Sequence, residues 1–208
     1  MTAGDFAHIL ARMHDLSRGT PALRLDATGG WLEGVRRVPS PNCDDRPPGT
    51  DIELIVLHGI SLPPREYGGP YIDQLFTNTL DPEAHPYFRG IAALRVSAHV
   101  LVDRAGRITQ YVPFTRRAWH AGQSAFCGRT ACNDFSIGIE FEGCDDEPYE
   151  PAQYGTAADL VRLLMSHWPR ITPGNIVGHS DVAPGRKTDP GPAFDWHRFR
   201  GLLAARLQ

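Results

Sequence analysis

The sequence has no excess of positive charge. Its 24 acidic residues outnumber 21 lysines and arginines, for a formal net charge of −3, so no basic field argues for a nucleic-acid partner. It has no run approaching the roughly 18 apolar residues of a membrane-spanning helix, so no membrane partner is expected. Its N-terminal stretch, MTAGDFAHILARMHDLSRG, lacks a basic segment followed by an apolar one and does not read as a signal peptide. Cysteine is sparse: Cys43, Cys127, Cys132 and Cys144 form no CxxC pair. Together these absences give a cytoplasmic protein with free thiols as the expectation. There are no internal repeats or low-complexity segments. What remains is a chain with 41% hydrophobic residues, enough to bury one sizeable core.

Residues 1–30 read as an N-terminal extension, with Phe6, Ile9, Leu10 and Met13 at the spacing of a short helix. Residues 31–50 are rich in proline and turn formers and read as an irregular surface segment. From there the pattern becomes regular. ELIVLH (53–58) is a short apolar strand ending on His58. A short helix is predicted over about 71–79, with Ile72, Leu75 and Phe76 on one face. RVSAHVLVD (95–103) and RITQYV (107–112) read as an antiparallel hairpin around Gly106. FSIGIEFE (135–142) alternates, placing Glu140 and Glu142 opposite Phe135, Ile137, Ile139 and Phe141. Both glutamates are solvated if that strand is antiparallel with one open face. A long amphipathic helix carries Tyr154, Ala157, Ala158, Val161, Leu164, Met165 and Trp168. A brief strand over 175–179 and a final helix over 195–207 follow. The fold class is α/β, a central mixed sheet flanked by helices.

The stretch GHSDVAPGRKTDPGPAFDW (178–196) draws the chemistry together. Three prolines (Pro184, Pro190, Pro192) and two glycines (Gly185, Gly191) interrupt any helix here. His179 and Asp189 offer one nitrogen and one oxygen ligand suited to zinc. Lys187, two residues from Asp189, suits a place where negative charge develops. His58 and His179 each end a strand. If those strands are neighbours, two imidazoles and one carboxylate meet, which is the three-ligand pattern of a catalytic zinc with one open position. Local sequence alone favours reading His58 as a hydrogen-bonded strand-end residue. His99 lines a pocket or is a satisfied core histidine, and the second is favoured. His120 lies in a loop, AWHAG.

The segments LHGISLPPREYGGPYIDQLFTNTLDPEAHPYF, LRVSAHVLVDRAGRITQYVPFTRRAWHAG, CNDFSIGIEFEG and GHSDVAPGRKTDPGPAFDW resemble the AmpD family of cytoplasmic zinc N-acetylmuramoyl-L-alanine amidases. The resemblance spans residues 31–208, which it makes a zinc amidase domain of the type shared with peptidoglycan recognition proteins. It implies Zn2+ held by His58, His179 and Asp189, with Glu140 and Lys187 as the catalytic pair. The family's tyrosine in its HPYF-like segment falls on Tyr87. Arg95, Trp119 and His120 are further candidates for substrate contact. The implied substrate is a muropeptide, cut between 1,6-anhydro-N-acetylmuramic acid and L-alanine during peptidoglycan recycling, and a monomer is expected. A non-catalytic peptidoglycan-binding module and a broader amidase acting on intact wall are the alternatives. Gly59 and Ala131 depart from the family pattern, which commonly has asparagine and a basic residue there.

Overall fold

The sheet is organised around β9 (Ser136–Glu142), whose seven residues are all buried. In the computed structural model, which describes residues 22–208, this strand is parallel to both neighbours. On one side lies β3 (Leu54–Ile60) and on the other β4 (Val100–Val102). With β1 (Arg36–Arg37), β5 (Ile108–Gln110) and β10 (Ile176–Gly178), they make a mixed six-stranded sheet in the order β1-β5-β4-β9-β3-β10. Parallel interior strands are covered on both faces. That is why Glu140 and Glu142 are buried rather than solvated, although their alternation was legible.

One face carries Ile55, Leu57, Ile137, Ile139 and Phe141. They pack beneath α2 (Pro151–His167) and α4 (Trp196–Leu207). Helix α2 starts where Pro151 needs no amide partner, and the Gln153 side chain accepts the Glu150 amide at 2.9 Å. Asp195 caps α4 by accepting the Arg198 amide. The opposite face is apolar at one end, where Leu54 and Val56 meet Phe135, Cys132 and Val182. A further cluster lies around α1 (Tyr71–Phe76). At the carboxyl end of the parallel strands that face turns polar.

The hairpin is as read, with β4 antiparallel to β5 and Gly106 at φ 78°. Its first arm is shorter than expected, because residues 95–98 leave the sheet and the Ser97 amide donates to Trp119 O instead. Helix α1 stops at Phe76, short of residue 79. The segment 31–50 is not an irregular surface. It supplies β1 and also β2 (Cys43–Asp44), which pairs with β6 (Arg117–Ala118), and it buries Leu32, Ser40 and Asn42. A second ribbon joins β7 (Ala125–Phe126) to β8 (Arg129–Thr130). Within the extension, Leu23 and Leu25 pack on the main core. The helix expected around Phe6–Met13 lies outside the described residues. All four cysteines are free.

Candidate active site

Adjacent parallel strands bring the distant histidines together. Strand β10 pairs with β3 so that Gly178 stands opposite Leu57. His58 and His179 are the next residues on each chain segment. His179 opens the one-turn helix α3 (His179–Val182). The loop after it folds back, with the Ser180 amide donating to Asp189 O. Gly191 fixes the far side at φ 83°, where a Cβ would come within 2.2 Å of Asp145 Cα. Tyr149 donates its hydroxyl proton to Pro190 O at 3.0 Å. That hydroxyl fills the space beside Gly59, where a Cβ would stand 2.3 Å from it. Gly59 thus leaves room for the tether of the Asp189 loop.

The result is a tight triangle of donor atoms. His58 Nδ1 is 3.0 Å from His179 Nδ1 and 3.2 Å from Asp189 Oδ2, and His179 Nδ1 is 3.0 Å from Asp189 Oδ2. Tetrahedral zinc with bonds of about 2.0–2.1 Å separates its ligands by about 3.3 Å, so this triangle fits the ion. Proton placement agrees. His179 Nε2 lies 3.2 Å from Ala121 O; a carbonyl only accepts, so Nε2 carries the proton and Nδ1 the lone pair. Three lone-pair atoms this close repel unless a cation or a proton sits among them. His58 is 2% exposed, and burial above all pulls its pKa down to about 4. Burial would raise Asp189, but hydrogen bonding and charge from the two histidines outweigh it and hold the carboxyl well below its ordinary range.

Glu140 stands opposite His58 in register on β9, on the same face and about one strand spacing of 4.8 Å away. It is 8% exposed. Its Oε2 is buried and has no hydrogen-bond partner among the described residues. Burial, then the charge of Asp189, push its pKa well above the usual carboxylate value, while Lys187 acts in the opposite sense. Lys187 is exposed on the loop that bears Asp189, in a turn whose amide donates to Ala183 O. It makes no ion pair among the described residues. A buried carboxyl, a lysine with no ion pair among the described residues and a triangle of donor atoms that fits a metal now lie together. Residues 48–192, which contain all five, match the Amidase_2 family, N-acetylmuramoyl-L-alanine amidase.

The chain belongs to this family. The amidase is 60% identical over 175 residues to the 1,6-anhydro-N-acetylmuramyl-L-alanine amidase AmpD of Escherichia coli (strain K12), covering 84% of this chain and 95% of that protein. It is 52% identical over 174 residues to the AmpD of Haemophilus influenzae, with 84% and 95% covered. The crystal structure of a selenomethionine AmpD derivative superposes with a TM-score of 0.83 at 58% identity, covering 86% of this chain and 99% of that one. A complex of the Escherichia coli amidase AmiD with anhydro-N-acetylmuramic acid-L-Ala-D-gamma-Glu-L-Lys superposes with a TM-score of 0.54 at 29% identity, covering 88% and 66%.

The remaining sequence candidates are spread more widely. Tyr87 is 47% exposed, on a 3₁₀ turn (Pro86–Gly90) capped by the His85 side chain, which accepts the Tyr87 amide. Arg95 is exposed and donates to Ala93 O and Leu94 O. Trp119 is half-buried, its indole N–H donating to Asp44 Oδ1 at 3.1 Å. His120 is not an open loop residue. It is buried behind His58, with Nδ1 2.9 Å from His58 Nε2 and Nε2 3.1 Å from Ser136 Oγ. Both ring nitrogens therefore have partners within the fold. His99 is a satisfied core histidine: Nδ1 accepts the Gly138 amide, and Nε2 donates to Arg116 O. Sequence reasoning missed Asn133, Ser136 and Ala121, whose partners lie on other segments and carry no local signal.

Proposed function

We propose that the amidase uses zinc held by His58, His179 and Asp189 to hydrolyse the amide between 1,6-anhydro-N-acetylmuramic acid and L-alanine in soluble muropeptides, as a cytoplasmic monomer in peptidoglycan recycling. The observation that carries the reading is the triangle of donor atoms with a buried, unpartnered Glu140 beside it. The substrates named for its relatives supply the bond. A zinc ion with three protein ligands and a fourth position open lowers the pKa of water towards ~7 and polarises a carbonyl.

The chain's own groups do the rest. Glu140 takes the proton that the attacking water loses and returns it to the L-alanine nitrogen, so the amine departs neutral. Burial favours its protonated form, which suits the second half of that exchange. The positive charge of Lys187 opposes the shift and keeps the ionised form accessible for the first half. The same ammonium offsets the negative charge that grows on the carbonyl oxygen, a charge present only on the way to the transition state.

Purified protein loaded with Zn2+ should release the stem peptide from an anhydro-muropeptide and contain about one equivalent of metal. His179→Ala should lose both metal and turnover. Stoichiometric zinc retained by that variant would sink the ligand assignment. Binding of muropeptide without turnover in metal-loaded wild-type protein would point to the non-catalytic module. Equal turnover on intact wall would point to the broader amidase.

A further inference from the structure

The two proposed ligand histidines come from strand ends 121 residues apart. Yet the groups behind their outer nitrogens are consecutive in the chain. His58 Nε2 meets the imidazole of His120, and His179 Nε2 meets the carbonyl of Ala121. This dipeptide is itself held at one point. The amides of His120 and Ala121 both donate to Asn133 Oδ1, at 3.2 and 2.7 Å. Space for the His120 ring exists because residue 138 is glycine; a Cβ there would lie 2.4 Å from His120 Cγ.

We infer that Asn133, through the dipeptide His120–Ala121, fixes the proton position and ring orientation of both ligand histidines, and so is a positioning residue for the metal. The inference rests on the zinc reading above. The proton bookkeeping supports it. For His58 to offer its Nδ1 lone pair, its proton must sit on Nε2, and His120 Nδ1 must accept it. His120 then carries its own proton on Nε2, where Ser136 Oγ accepts it. Ser136 is fully buried, so the line ends inside the protein. At the second ligand, Ala121 O accepts from His179 Nε2 and also from Arg186 Nη2 at 2.6 Å. Arg186 belongs to the loop that carries Asp189, so the same carbonyl ties the third ligand's segment to the other two. A ligand imidazole whose outer N–H is bonded is held in one tautomer and one orientation, and loss of such a partner typically weakens metal binding by about 10–100-fold.

Neither Asn133 nor His120 supplies a ligand atom, so their variants test the arrangement without deleting the site. Zn2+ affinity of the full chain is measured by competition with a chromogenic chelator, alongside melting of the metal-free proteins. Asn133→Ala and His120→Leu should each weaken Zn2+ binding by about 10–100-fold. Asn133→Asp keeps an oxygen where both amides need it, and His120→Asn keeps an acceptor near the position of Nδ1; both should recover most of the affinity. If His120→Leu does not fold, the Asn133 pair decides. Wild-type affinity in Asn133→Ala would overturn the inference while leaving the metal reading intact. So would an equal loss in Asn133→Ala and Asn133→Asp, since that shows a general packing defect. Wild-type protein that binds no Zn2+ would overturn the metal reading, and this inference with it.

Discussion

At the scale of single residues, Glu140 is the side chain whose burial bears most directly on stability. A buried carboxylate with an unpaired oxygen costs free energy when it ionises. Its pKa is raised in the fold, so folded protein holds a proton that unfolded protein releases. In metal-free protein the contribution of Glu140 is therefore greatest below its ordinary value of 4.5 and is lost as pH rises towards the raised value. Glu140→Gln should stabilise the metal-free protein at pH 7 and hardly change it at pH 4. The difference between wild type and variant in urea melts isolates the effect, because the histidines contribute equally to both. Identical curves at both values would contradict the assigned environment. In the zinc form, Glu140→Ala and Lys187→Ala should keep metal while turnover falls by roughly 10²-fold or more. Near-normal turnover in Glu140→Ala would remove it from the chemistry. The donor triangle could be anticipated because few residue kinds ligate metals, whereas Glu140 and Lys187 were singled out as a catalytic pair only through the family resemblance. The protons were not legible: His120 reads as a loop residue until the chain folds it behind His58.

At the scale of elements, the loop after β10 carries Asp189, the third proposed ligand, and its shape depends on glycine. Gly191 has φ 83° and backbone packed where its Cβ would be, whereas Gly185 has φ 74° and open space around it. Alanine at either position is strained in the left-handed region. Gly185→Ala should cost about 1 kcal/mol and keep zinc. Gly191→Ala should cost more than that and displace Asp189, so zinc content falls while the far-ultraviolet spectrum stays native. Equal zinc content in the two variants would show that the loop does not set the ligand. The hairpin of β4 and β5 could be read from sequence because its register is local. The parallel pairing of β3 with β9 and β10 could not, since no short-range pattern encodes partners separated by a crossover. Strands β1 and β2 were missed because two residues show no periodicity and the prolines around them resemble a loop.

At the scale of the whole molecule, buried histidines set the response to acid. Burial lowers His58 to about 4 against the opposing Asp189 carboxylate, and burial aided by neighbouring positive charge lowers His99 to about 3 and His120 well below its ordinary value. Folded metal-free protein keeps them neutral while the unfolded chain protonates them below about 6.5. Their contribution is therefore full above that value and is lost as pH falls towards 4, at about 1.4 kcal/mol per pH unit for each proton. Denaturant melts between pH 7 and pH 5 should show this decline, and a flat profile would argue that these rings are charged or hydrated.

The order of segments in the sheet also bears on how the protein is made. His58 leaves the ribosome 131 residues before Asp189, on the order of 10 s at ordinary rates of synthesis. Until β10 emerges, β3 lacks one of its two neighbours and His58 lacks both of its partners in the donor triangle. The proposed ligand set is therefore complete only once Asp189 has emerged. Throughout that interval the nascent chain carries an apolar strand with an open edge, the kind of surface that chaperones shield.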